Sequence, residues 1–175
     1  MRAARLGWTA ICCAALGLSG AQAVLGESAA VPSSFGISDP ALARSDYIEH
    51  CGGCHGVNGS TAPAPLPELR GRVGYFLCTP ETRAYLLRLP NVAHSRISDD
   101  AELAELMNYV VYVIGEGSVP AGRAPFTAEE VGKERAKALS SAALTKERAR
   151  NVGIAIRQCR APASLNEMYD PMRSQ

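Results

Sequence analysis

Apolar residues at helical intervals organise most of this 175-residue chain. Between 101 and 114, Leu103, Leu106, Met107, Val110 and Ile114 fall on one stripe, which predicts a helix with a buried side and reads Met107 as core filler. An earlier helix is expected to run from Pro40, because Asp39 can cap it and proline suits the first helical position. Its apolar residues Leu42, Tyr47 and Ile48 are expected to face the 101–114 helix, with Arg44, Asp46 and Glu49 toward water. Thr79-Pro80-Glu81-Thr82 starts another helix, with Tyr85, Leu86 and Leu89 on its apolar side, and Pro90 stops it. Further on, Thr127-Ala128-Glu129-Glu130 reads as a capping box opening a charged helix over roughly 128–139. A last helix is expected from Ala142 to about Arg157, with Val152, Ile154 and Ile156 as a thin apolar side. The expected fold class is therefore all-α.

Glycine and proline mark what lies between these helices. Residues 24–38 and the run from Gly117 to Pro125 read as linkers, and 56–74, with Ala62-Pro63-Ala64-Pro65-Leu66-Pro67, as an irregular loop. At the start, Arg2 and Arg5 precede an apolar run from Leu6 to Leu18, and Ala21-Gln22-Ala23 follows. That pattern predicts a secretory signal peptide over 1–23, with lipidation at Cys12 or Cys13 and a retained anchor as alternatives. The apolar run is short for a membrane span, so no stable insertion is expected after cleavage. Without residues 1–23, 18 basic and 17 acidic residues become 16 and 17. Such a balance points to neither nucleic acid nor an acidic membrane surface. Lys146, Arg148, Arg150, Arg157 and Arg160 do cluster, as a solvated face or as a docking patch for an acidic partner.

The chemistry is concentrated in Cys51-Gly52-Gly53-Cys54-His55. Two thiols three positions apart, with an imidazole directly after the second, match the signature for covalent attachment of one c-type haem. The thiols would form thioethers with the two vinyl groups, and the imidazole would bind the iron on the proximal side. A zinc site would need a second ligand pair, whereas Cys78, His94 and Cys159 are scattered singles. A thioredoxin-like pair should follow an apolar strand, and the approach here, residues 41–50, is polar and helical. A plain disulfide between Cys51 and Cys54 is the remaining alternative.

The neighbouring residues resemble class I cytochromes c. Tyr47 before the first cysteine, His55-Gly56-Val57-Asn58-Gly59, Pro67-Glu68-Leu69-Arg70-Gly71, and Ile97-Ser98-Asp99-Asp100 leading into Leu103 through Tyr109 agree with that family in order and spacing. The resemblance covers roughly residues 38–116 and implies a helical haem domain over 39–116 with a helical C-terminal extension over 117–175. It also implies that Tyr109 packs on the first helix and that the 56–74 loop wraps the haem edge. Arg70 and Arg72 are candidates there for contact with the haem propionates, on charge grounds alone. The family's loop before its closing helix presents a sixth ligand, most often methionine. Here no methionine lies between His55 and Met107, and His94 stands near that place, so His94 is the candidate distal ligand; Met107, a tail methionine or no sixth ligand are the alternatives.

One haem in an exported domain with no second catalytic constellation suggests a periplasmic carrier of single electrons, not an enzyme, and the resemblance implies that it works between a dehydrogenase donor and an oxidase or cytochrome acceptor. A haem enzyme or sensor with an open distal position is the rival, and a subunit whose haem is structural is a third reading. Cys78 and Cys159 remain as an even pair, which in an exported chain favours a bridge fastening the tail to the haem domain; two free thiols are the alternative.

Overall fold

In a computed structural model, which describes residues 33–60 and 66–168, seven α-helices and several shorter helical turns pack around one core, with no strand among the described residues. The expected signal peptide and the proline-rich stretch 61–65 lie outside the described residues. Helix α1 (Pro40–Tyr47) begins as the sequence suggests, with the Asp39 carboxylate accepting from the backbone N–H groups of Ala41 and Leu42. It continues through a π-helical turn, Ile48–Gly52, into the short α2 (Gly53–His55). After a 3-10 stretch, Val73–Cys78, come α3 (Pro80–Arg88) and α4 (Pro90–Ala93). Thr79 and Thr82 cap α3 reciprocally. Helix α5 (Asp100–Asn108) is prolonged by a second π-helical turn, Tyr109–Ile114, and α6 (Ala128–Arg135) and α7 (Leu144–Cys159) follow.

Helix α1 crosses α5 and its π turn, and Tyr47 meets Tyr109 there at 5.9 Å between ring centroids. The buried side of α1 differs from expectation: Ala43, Asp46 and Tyr47 face inward, while Leu42 and Ile48 are exposed. Ala43 and Asp46 stand one turn apart on the same face, so burying Ala43 also carries Asp46 inward. Its Oδ2 has no hydrogen-bond partner.

Residues beyond 117 contribute to the same core as the rest. Phe126, Val131, Val152, Ala155, Ala161 and Leu165 are all buried in it, and α7 lies on the Val73–Cys78 turn and α3. Cys78 and Cys159 form a disulfide with 5.8 Å between Cα atoms. Part of the expected N-terminal linker is packed as well, since Ile37 is buried and Phe35 stacks on Tyr112. Asn108, with no exposed surface, donates to the carbonyls of Gly36 and Phe126 and accepts from the N–H of Phe126, so one side chain of α5 ties down both flanking segments. The Lys146–Arg160 cluster is only partly a solvated face. Arg148 is half-buried and donates to the Leu165 carbonyl, and Arg150 pairs with Glu81 and Glu147.

Candidate functional site

The turn of helix through Cys51–His55 places both thiols and the imidazole along one side. Residues three and four apart are neighbours on a helical surface, and these spacings link Cys51 to Cys54 and to His55. Cys51 is half-buried, Cys54 is exposed, and neither is in a disulfide. Burial, and then the neighbouring Cys54, push the Cys51 thiol up to about 11, so it is held as the neutral thiol at physiological pH. Gly56 ends the turn at φ 73° and ψ 155°, backbone that glycine adopts without a Cβ clash.

Behind the turn, a set of short-range bonds returns the chain to His55. The Tyr47 hydroxyl, buried under the turn, donates to the Gly56 carbonyl at 2.8 Å. The Gly59 carbonyl accepts from the N–H groups of Leu69 (2.9 Å) and Arg70 (3.1 Å), folding the Pro67–Gly71 segment against the motif. Gly59 is buried with φ 73°, and a side chain there would run into Ile114. This folding brings the Pro67 carbonyl to 3.2 Å from His55 Nδ1. With that nitrogen as donor, Nε2 is the lone-pair atom, and it makes no hydrogen bond among the described residues. Burial lowers the pKa of His55 and the Pro67 carbonyl partly opposes it; the net result favours the neutral ring, the form that binds metal.

Two unpaired thiols and a half-buried neutral imidazole whose outer nitrogen is oriented by a backbone carbonyl fit covalent haem attachment with proximal ligation. Apolar Ile48 and Val57 stand exposed beside them, suited to contact with an apolar ring. No group of three or more His, Cys, Asp or Glu side chains that could hold a metal ion is gathered among the described residues.

The other candidates are placed differently. Arg70 is exposed and forms a two-pronged pair with Glu116, Nη2 to Oε1 at 2.7 Å and Nε to Oε2 at 3.2 Å. Arg72 pairs with Glu68 at 3.1 Å and donates to the Ser164 carbonyl at 2.5 Å. Both guanidiniums thus have partners inside the chain. His94 is the exposed cap residue of α4, with its backbone N–H on the Pro90 carbonyl. Helix α4 packs on α3 and α6, whereas α2 packs on the Ile48–Gly52 turn. Met107 is buried in the core at 4% exposure. The Tyr47–Gly56 and Pro67–His55 bonds were not singled out as contacts in the sequence, although Tyr47 and the Pro67–Gly71 segment were.

Two curated proteins from Thermus thermophilus, each called Cytochrome c-552, are similar to this chain. One is 30% identical over 128 residues, covering 62% of this chain and 86% of its own. The other is 30% identical over 115 residues, covering 56% and 88%. No family model matches the chain. No solved structure matches it either. Among the described residues, no helix is long and apolar enough to cross a membrane.

Proposed function

The chain belongs to the c-type cytochromes, and from that premise we propose that it is a periplasmic single-electron carrier with one haem c fastened through Cys51 and Cys54 and ligated by His55. When bound, the haem supplies a one-electron iron couple. The chain's own residues do the rest. Cys51 and Cys54 would hold the haem through thioethers, and His55 would offer Nε2 with its Nδ1–H on the Pro67 carbonyl. A backbone acceptor at that distance limits rotation of the imidazole, so the ligand is already oriented before iron arrives. This is the observation that carries the reading.

His94 is the proposed distal ligand, supported by its place before α5 and by the burial of Met107 in the core. Arg70 and Arg72 remain proposed propionate contacts, a role that requires exchanging or sharing their present partners Glu116 and Glu68. The disulfide Cys78–Cys159 supports an oxidising compartment, in keeping with export by residues 1–23. A dehydrogenase as donor and an oxidase or second cytochrome as acceptor are the proposed partners. We propose domain limits at 39–116 and 117–175, with Phe126, Val131, Val152, Ala155, Ala161 and Leu165 of the second part packed into the core of the first.

A second reading, a haem enzyme or sensor with an exchangeable distal position, is favoured by the exposure of His94. One experiment decides between them. The mature protein, made in a host equipped for haem attachment, is expected to gain the mass of one haem and to show low-spin ferric bands. His94→Ala is expected to turn those bands high-spin, and the potential of the parent should lie below that of a His/Met relative. Colourless protein with the bare polypeptide mass would remove the carrier assignment; high-spin bands in the parent would favour the second reading.

A further inference from the structure

The segment that carries His94 is held by a residue far along the chain. Arg135, the last residue of α6, sends Nε to the Ala93 carbonyl (3.2 Å) and Nη2 to the carbonyls of Ile97 (3.1 Å) and Ser95 (3.4 Å). Its Nη1 pairs with Asp100, at the start of α5, at 3.0 Å. The Arg135 side chain is only 17% exposed, so these charge-assisted bonds form largely out of water. Three carbonyls from residues 93, 95 and 97 converging on one planar cation leave the backbone on both sides of His94 little freedom. His94 itself makes no side-chain hydrogen bond among the described residues, so nothing else on that side chain fixes it.

Helix α6 is in turn anchored to α3. Glu134 pairs with Arg88 and Glu130 with Arg83, the Leu139 N–H donates to the Arg88 carbonyl, and Val131 is fully buried. Arg135 therefore reaches the loop from a fixed base. A lysine could not replace it, because one ammonium on a flexible stem cannot meet carbonyls spread over five residues in fork geometry.

We propose that Arg135 is a positioning residue for the distal side of the haem: by clamping the carbonyls of Ala93, Ser95 and Ile97 it limits the swing of the His94 loop and so the exchange of the sixth ligand. This rests on the proposed reading of His94 as that ligand.

The test uses the full-length holoprotein, with carbon monoxide as the probe of the ferrous iron and amide hydrogen exchange at residues 94–97 as a readout independent of haem. Arg135→Lys and Arg135→Ala are compared with Arg148→Lys. Arg148 of α7 is half-buried, donates to the Leu165 carbonyl and takes no part in anchoring α6, so it serves as the control for general loosening. In both Arg135 variants we expect exchange at 94–97 and the rate of carbon monoxide binding to rise roughly tenfold, the effect of losing one to two net hydrogen bonds. Arg148→Lys should change neither. Unchanged exchange and binding in the Arg135 variants, while His94→Ala turns the ferric protein high-spin, would overturn the clamp and leave the ligand assignment standing. Unchanged low-spin bands in His94→Ala would overturn the ligand assignment and the clamp's role with it.

Discussion

Around His55 the chain is held by contacts between near neighbours, and around His94 by a contact from far away. Pro67 is 12 residues from His55 and Gly56 is nine from Tyr47, whereas Arg135 is 42 residues from the Ala93 carbonyl it binds. Closing a short loop costs little chain entropy, so the segment around His55 can form almost as a self-contained motif. The segment around His94 needs α6 in place first, and α6 needs α3. The two segments are thus separable in this chain: one depends on a local sequence, the other on completion of the fold.

Cutting the disulfide is the strongest way to probe that contrast. Cys78–Cys159 spans 81 residues, and reducing it is expected to lower unfolding free energy by about 4 kcal/mol, read from denaturant titrations with and without reductant. Amide protection should fall first in α6 and α7 and last in residues 47–59. Loss in the opposite order would break the comparison.

Asn108→Ala comes next. It strips three hydrogen bonds from the backbone of Gly36 and Phe126, two of them buried, and should cost about 3 kcal/mol in thermal or chemical unfolding. The segments near Gly36 and Phe126 should loosen, while His55 keeps its hold on Pro67 and the haem spectrum stays as in the parent. A haem spectrum that changes would mean the proximal side is less local than its contacts suggest.

Asp46→Ala should have the smallest effect, and a favourable one, about 1 kcal/mol at neutral pH. Burial raises the pKa of this carboxyl; His50 works against that, and Glu49 and Asp39 add to it. The folded protein therefore keeps the proton to higher pH than the unfolded chain does. Its penalty is complete above the raised pKa and fades as pH falls through the usual carboxylate range. The gain from alanine should shrink accordingly on acidification, and equal gains in urea titrations at pH 7 and pH 4 would count against a buried charge as its source.

The same division between near and far explains what could be read in advance. Helix starts were legible because caps are local chemistry: Asp39, Thr79 and Thr127 all cap where expected. Even so, Glu130 does not close the expected box at Thr127. It pairs with Arg83, 47 residues away, and no local rule weighs that competitor. The Cys51–His55 motif and the Pro67–Gly71 segment were legible as words, but not the bond between them. The inward face of α1 differs from the expected one because hydrophobicity favours Leu42 over Asp46, whereas the face turned to the core is the one that carries Ala43 and Tyr47. Residues beyond 117 looked like an appendage because their apolar positions are sparse. Phe126, Val131 and Leu165 become core only once α3 and the Val73–Cys78 turn are there to receive them.

The π-helical turn Ile48–Gly52 has a bearing on how the attachment motif is aimed. Such a turn closes over one residue more than an α turn. Relative to the buried stripe of α1, it therefore sets the angular bearing of everything downstream by about 100° per residue. Losing Ile48 or Glu49 would leave every thiol and imidazole in the chain, yet point them a quarter-turn or more away from the carbonyl of Pro67. The bulge acts as a protractor that sets the heading in which the three donors point.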